Sequence, residues 1–175
     1  MQVRIITECF FDTMLIEKTI NATKQVWHRK GCNNVVVALK NEKIKDFFKI
    51  GVIDKDKNPL KYLNEFELHE TEGFNFYWKA DKCEVVIQIS PPLEKWILGI
   101  CKEEKIELGE IGLSENIYEL RKHTKNAVVK ETEELKKLCK LLISSENKKI
   151  VKLKNWMQHL IEKSNNFDIN YIKNA

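Results

Sequence analysis

Three short apolar runs punctuate the first sixty residues, and each stops at a polar or charged side chain. Residues 3–7 are rich in β-branched side chains and run into Glu8. Residues 35–39 are continuously apolar and include three valines. Residues 49–54 read Lys-Ile-Gly-Val-Ile-Asp and open onto the charged stretch Asp54-Lys55-Asp56-Lys57. Runs of this length and composition are expected of strands covered on both faces. Between the first two, residues 12–27 carry Met14, Leu15, Ile16, Ile20 and Val26 with lysines and an asparagine among them, which predicts an amphipathic helix stopped by Lys30-Gly31. Asn41 suits the N-cap of a second, shorter helix with Ile44, Phe47 and Phe48 as its buried stripe. Strands alternating with helices over so short a span make a parallel α/β sheet the economical architecture.

After Pro59 the pattern changes. Residues 65–69, 74–79 and 83–90 read as strands separated by polar turns, with Ala80-Asp81-Lys82 closing a hairpin, so the sheet gains an antiparallel portion. Pro91-Pro92 ends the last strand, and Pro92 suits the first turn of a helix containing Leu93, Trp96, Ile97 and Ile100. The remainder is helical in character, through Ile117 and Leu120, then Leu135, Leu138 and Leu142, then Ile150, Leu153, Met157, Leu160 and Ile161. The expected fold class is therefore α/β, a central mostly parallel sheet with an antiparallel hairpin portion, flanked by helices and followed by C-terminal helices. At 175 residues one domain suffices. It is expected to span residues 1–163, with residues 101–163 as its helical part and residues 164–175 as a loosely held tail.

Composition narrows the function classes. No apolar run approaches the length that spans a bilayer, and the start lacks the features of a signal peptide, so no membrane association and a cytoplasmic location are expected. Five scattered cysteines without a CxxC pair fit reduced thiols used in packing. Four histidines without HxxxH or HExxH spacing give no histidine-based metal site. The net charge of +4 is too mild to imply nucleic-acid binding by itself. Residues 130–163, however, carry nine lysines against five glutamates, a face that serves solvation or phosphate contact.

Position singles out three carboxylates. Glu8 follows the first strand, and Asp54 and Asp56 close the strand at residues 49–54. Carboxyl ends of parallel strands converge on the ligand crevice of open α/β sheets, so these residues can meet. Grouped carboxylates repel one another unless a cation intervenes, and magnesium, which takes one or two carboxylates and keeps its waters for a phosphate oxygen to displace, is the natural guest. The same letters, Asp-Lys-Asp-Lys-Asn-Pro, also serve a solvated turn.

The segment Ile5-Ile6-Thr7-Glu8-Cys9-Phe10-Phe11-Asp12 resembles the first motif of Toprim domains, a strand ending in glutamate with an aspartate four residues on. Ile50-Gly51-Val52-Ile53-Asp54-Lys55-Asp56 resembles their second motif, a strand ending in Asp-x-Asp. The resemblance covers residues 1–100 and is nearest in style to the Toprim domains of overcoming-lysogenization-defect nucleases. It implies phosphodiester chemistry on DNA or RNA with magnesium or manganese. Under it Glu8 is a metal ligand or general acid/base, Asp54 and Asp56 are metal ligands, and Asp12 supports the motif. Glu94 matches the acidic residue such nucleases place after a later strand, or is a first-turn glutamate facing the helix dipole. Lys55, Lys57 and Lys79 are candidates for phosphate contacts. Cys9 departs from the family by replacing the glycine that usually follows the glutamate. The resemblance implies a small nuclease; the alternative is a non-catalytic Toprim-like binding or regulatory module working with a protein partner. A receiver-like phosphorylation site fits poorly, because the paired acids follow the wrong strand.

Overall fold

The computed structural model describes residues 2–21, 24–55, 60–126 and 132–175. Its centre is one six-stranded sheet in the order β2-β1-β3-β6-β5-β4, formed by β1 (Val3–Thr7), β2 (Val26–His28), β3 (Phe48–Asp54), β4 (Glu67–Thr71), β5 (Phe74–Trp78) and β6 (Glu84–Ile89). The first four in spatial order are parallel, β5 runs antiparallel to β6, and β4 completes the sheet antiparallel to β5. The predicted α/β class, with its mostly parallel sheet, hairpin portion and C-terminal helices, is the class observed. The helices are α1 (Phe10–Ile20), α2 (Cys32–Leu39), α3 (Leu93–Glu103), α4 (Ile117–Thr124), α5 (Glu133–Ser144), α6 (Lys148–Lys163) and α7 (Ile169–Asn174). Among the described residues no helix is long and apolar enough to cross a membrane.

Alternation along the strands divides the core. Ile5, Ile50, Val52, Val85 and Ile87 join the larger cluster with residues of α1, α3, α5 and α6, while Ile6, Ile53 and Val86 pack with α2 on the other face. Gly51 lets α2 approach. A Cβ there would stand 3.1 Å from Leu39 Cδ1 and 3.3 Å from Val86 Cγ2.

Several local expectations are corrected. Residues 35–39 are not a strand but most of α2. Val35, Ala38 and Leu39 lie at i, i+3 and i+4 and are buried, whereas Val37 is 67 % exposed, so the helical period was overwritten by apolar residues on the outer face. Gly31 consequently precedes a helix instead of ending one, with φ 87° at its N-cap. The helix expected over residues 12–27 ends at Asn21, which adopts the left-handed conformation, and Val26–His28 pairs with β1 as a strand. Asn41 does cap, accepting from Lys43 N–H at 2.9 Å, but the turn it caps is a single 3₁₀ turn, Glu42–Ile44, and Phe48 already belongs to β3.

Residues 164–175 are not a loose tail. Phe167 and Ile172 are fully buried, the Phe167 ring lies 6.1 Å from those of Phe48 and Phe76, and Trp156 Nε1 donates to the Ile172 carbonyl at 2.9 Å. The polar composition of the segment hid two anchors that close the core beneath β3 and β5. Phe167→Ala is expected to lower unfolding free energy by about 3–5 kcal/mol, the usual cost of removing a buried phenyl ring. Urea unfolding of the full chain measures this, and a loss below about 1 kcal/mol would show that the segment is peripheral.

Candidate functional site

The chain leaves β1 toward β2 on one side and returns to β3 on the other, so the sheet order reverses at β1 and β3. Such a switch opens a crevice outside the carboxyl ends of the strands. Glu8 and Asp54 stand there. Thr7 is opposite Val52 and Asp54 is opposite Ile89, so β1, β3 and β6 discharge at one edge. Glu8 N–H donates to the Val52 carbonyl at 3.1 Å, and Asp54 N–H donates to Glu8 Oε2 at 2.9 Å. The same Oε2 accepts from the Cys32 thiol at 2.8 Å, at the first residue of α2.

Asp54 is 7 % exposed, and its Oδ1 accepts from Leu93 N–H, the opening residue of α3, at 3.2 Å. Glu94 follows, buried, its Oε1 accepting from the Thr124 hydroxyl of α4 at 2.8 Å. Asp12 is fully buried beneath them. Its Oδ2 accepts from Cys9 N–H at 3.1 Å, Cys9 Sγ accepts from Asp12 N–H at 3.3 Å, and Asp12 Oδ1 has no partner. This reciprocal pair is a capping box for α1. Cys9 needs no glycine-like backbone, since its φ is −122°, and its buried side chain serves the cap.

Electrostatics separates this cluster from the other buried carboxylate of the sheet. Glu84, at the opposite end of β6, is matched by Lys49 at 3.1 Å and Lys79 at 3.5 Å, and the Tyr62 hydroxyl donates to it. Among the described residues, Glu8, Asp12, Asp54 and Glu94 have no ion pair. Burial, then the charges of Glu8 and Glu94, push the Asp54 carboxyl up to about 7, against the opposing pull of Leu93 N–H and Lys125. Burial, then Asp54, likewise raises Asp12.

A cleft of about 540 Å³ meets Glu8, Asp54 and Glu94 and is lined on its basic side by Lys95, Arg121 and Lys125. A second, of about 680 Å³, lies on the other side of Glu8 and follows α2 past Cys32, with Lys30, Lys40 and Lys61 along it. Lys55 lines the first cleft. Asp56 and Lys57 lie outside the described residues. Lys79 is not at the site. It is tied to Glu84 and lies 3.0 Å from the Tyr62 hydroxyl, roughly five strand residues or ~17 Å from the level of Asp54. The cations Lys95, Arg121 and Lys125 were not singled out from sequence, because the docking of α4 on α3 brings two of them in. Cys32 carries no sequence signal that separates it from the other scattered cysteines, and its contact with Glu8 arises only because α2 begins there.

Among the described residues no three histidine, cysteine, aspartate or glutamate side chains enclose a metal ion. The donor set suits a hard cation that keeps most of its waters: Glu8 and Asp54, oxygen donors only, one hydrogen-bonded to the other's backbone, with unneutralised charge between them. A closed zinc-type cage does not fit.

Because folding raises the Asp54 pKa above its ordinary 3.8, the folded state binds more protons than the unfolded one between about pH 4 and 7. Stability contributed by the protonated carboxyl is complete below that window and lost as pH rises through it. At pH 8 in chelator, Asp54→Asn is expected to melt several degrees above the wild type, on the order of what a 1–2 kcal/mol change produces. Manganese should raise the wild-type midpoint and leave the variant unmoved. A variant no more stable than wild type, or equally stabilised by manganese, would remove Asp54 from a charge-strained cation site. Compared with family models, curated proteins and solved structures, the chain gives no match.

Proposed function

We propose that the chain is a metal-dependent phosphodiesterase acting on nucleic acid, a small nuclease of Toprim-like organisation. The observation that carries the reading is the Asp54 N–H donating to Glu8 Oε2, which locks together two carboxylates from positions 46 residues apart at the switch point of the sheet. Basic clefts on both sides of Glu8 support an anionic polymer passing across the pair.

Glu8 and Asp54 would hold magnesium or manganese, with Asp56 as the further ligand implied by the motif. Bound there, the ion supplies charge neutralisation at the phosphate and an acidified water. The protein's own part is positioning. Asp54 N–H and the Cys32 thiol fix the Glu8 carboxylate, Leu93 N–H fixes that of Asp54, and Thr124 fixes that of Glu94. Arg121 and Lys125 contact phosphate oxygens, and Tyr118, 74 % exposed in the same cleft, offers a ring to a base.

Glu8→Gln and Asp54→Asn are each expected to lower manganese-dependent cleavage by at least about 100-fold, with circular dichroism unchanged. The assay covers single-stranded, duplex and hairpin DNA and RNA. Arg121→Ala with Lys125→Ala should weaken binding of every sequence alike and reduce the salt slope by about two. Unchanged cleavage in Glu8→Gln would overturn the mechanism. The second reading is a Toprim-like module that binds a partner without turnover. Manganese binding with no cleavage of any substrate in the panel would move the conclusion to it.

A further inference from the structure

The face of the sheet that packs against α2 changes character toward β4. Two cross-strand rows run across it. One pairs Leu68, Tyr77, Val86 and Gly51, and the other pairs Glu70, Asn75, Gln88 and Ile53. Over β3 the rows are apolar and lie under α2. Over β5 and β6 the second row turns to carboxamides, and a cavity of about 430 Å³ stands above them. Asn75 and Gln88 are 6 % and 8 % exposed, so two amides occupy positions where this sheet elsewhere places aliphatic side chains. Burying them costs stability unless their polar atoms are used.

Asn75 Nδ2 donates to Gln88 Oε1 at 2.9 Å, and the Tyr77 hydroxyl donates to the same oxygen at 3.4 Å. These bonds orient the amides and employ neither Asn75 Oδ1 nor Gln88 Nε2, an acceptor and a donor on residues that line the cavity. Tyr77 and Phe66, both half-buried, add aromatic surface to it. Charge is distributed along the cavity. Lys55 is at the end shared with the acidic cleft, and Glu70 is at the β4 end. Lys55 is held beside Gln88, its N–H donating to the Ile89 carbonyl at 2.9 Å. A phosphate is therefore favoured at Lys55 and disfavoured deeper in, while an uncharged group with adjacent donor and acceptor is accommodated throughout.

We propose that Asn75, Gln88, Tyr77 and Phe66 form a nucleobase subsite that receives the base next to the phosphate bound at the Glu8–Asp54 pair. It rests on the nucleic-acid reading above and adds to it a determinant of base preference. Carboxamides match the paired donor and acceptor on a base edge, and the aromatic rings match its face. Lys55 bridges the two cavities, so the strand turns from the phosphate site into the subsite at that residue.

The test is fluorescence anisotropy of the full chain with labelled single-stranded homopolymers of each base and an abasic phosphodiester oligomer of equal length. Calcium is the divalent ion. Wild type is expected to bind at least one base-bearing oligomer about 10-fold or more tighter than the abasic one. Asn75→Leu combined with Gln88→Met, which preserves volume and removes both amides, should cut that ratio to about two-fold or less while abasic binding stays constant. Tyr77→Ala, at a half-buried position, should lower the ratio as well and serves if the double variant fails to fold. A ratio retained in these variants, or a wild type that binds abasic and base-bearing strands alike, overturns the subsite and leaves the phosphodiester reading standing. No binding of any oligomer overturns the nucleic-acid reading itself, and the subsite with it.

Discussion

The parallel registration of β1, β3 and β6 is the constraint from which the other features follow. Once Thr7 is set against Val52 and Asp54 against Ile89, three chain exits lie side by side, and the residues just past them have no choice of neighbour. Strand pairing also leaves the Asp54 N–H to be satisfied at the edge of the ladder, and the Glu8 carboxylate accepts it. The fold thus obliges two acids to meet, and it fixes the entry of α3 through a third contact, Leu93 N–H to Asp54 Oδ1. Helices α1 and α2, on opposite faces, then follow from the direction in which the chain departs from each strand.

Much of this was legible from residue order. The strands over residues 49–54, 74–79 and 83–90 carried clear β-branched and aromatic runs, and the acids were placed by where those runs stopped; the strand expected at residues 65–69 lies instead at Glu67–Thr71, whose alternating charged side chains mark it only weakly. Residues 35–39 misled for a physical reason. A helix packed in an α/β layer can carry apolar residues at its flank and on its outer face as well, and half-buried Val36 and exposed Val37 erased the period that Val35, Ala38 and Leu39 would otherwise have displayed. The basic side of the cleft was illegible for a different reason, since Arg121 and Lys125 reach it only through the packing of α4 on α3. Phe167 and Ile172 were hidden by polar neighbours that occupy the outer face of the final turns.

The two ends of β3 and β6 offer an internal comparison. Both bear buried carboxylates, but at the amino end Glu84 is answered by Lys49, Lys79 and Tyr62, a closed set that maintains the fold. At the carboxyl end, Asp54 meets Glu8 and Glu94, and Asp12 lies buried with one unpartnered oxygen. A chain that matches a buried acid with two lysines at one edge is not forced to leave four acids, Glu8, Asp12, Asp54 and Glu94, without an ion pair among the described residues at the other. Local destabilisation of this kind concentrates where a guest is to be bound, and the surrounding structure sustains it.

What sustains it here is the core packing of the elements that carry the acids. Asp12 sits on α1, whose Phe11, Met14, Leu15 and Ile16 are buried in the larger cluster, so that helix cannot shift to relieve the charge. Asp54 closes a strand flanked on both sides by parallel partners and cannot shift either. The acids are therefore held at fixed separation by packing that would be unchanged if they were neutral. Under the proposed function a cation would find nothing to rearrange on arrival, and the free energy released by neutralising the cluster would go into binding instead of folding.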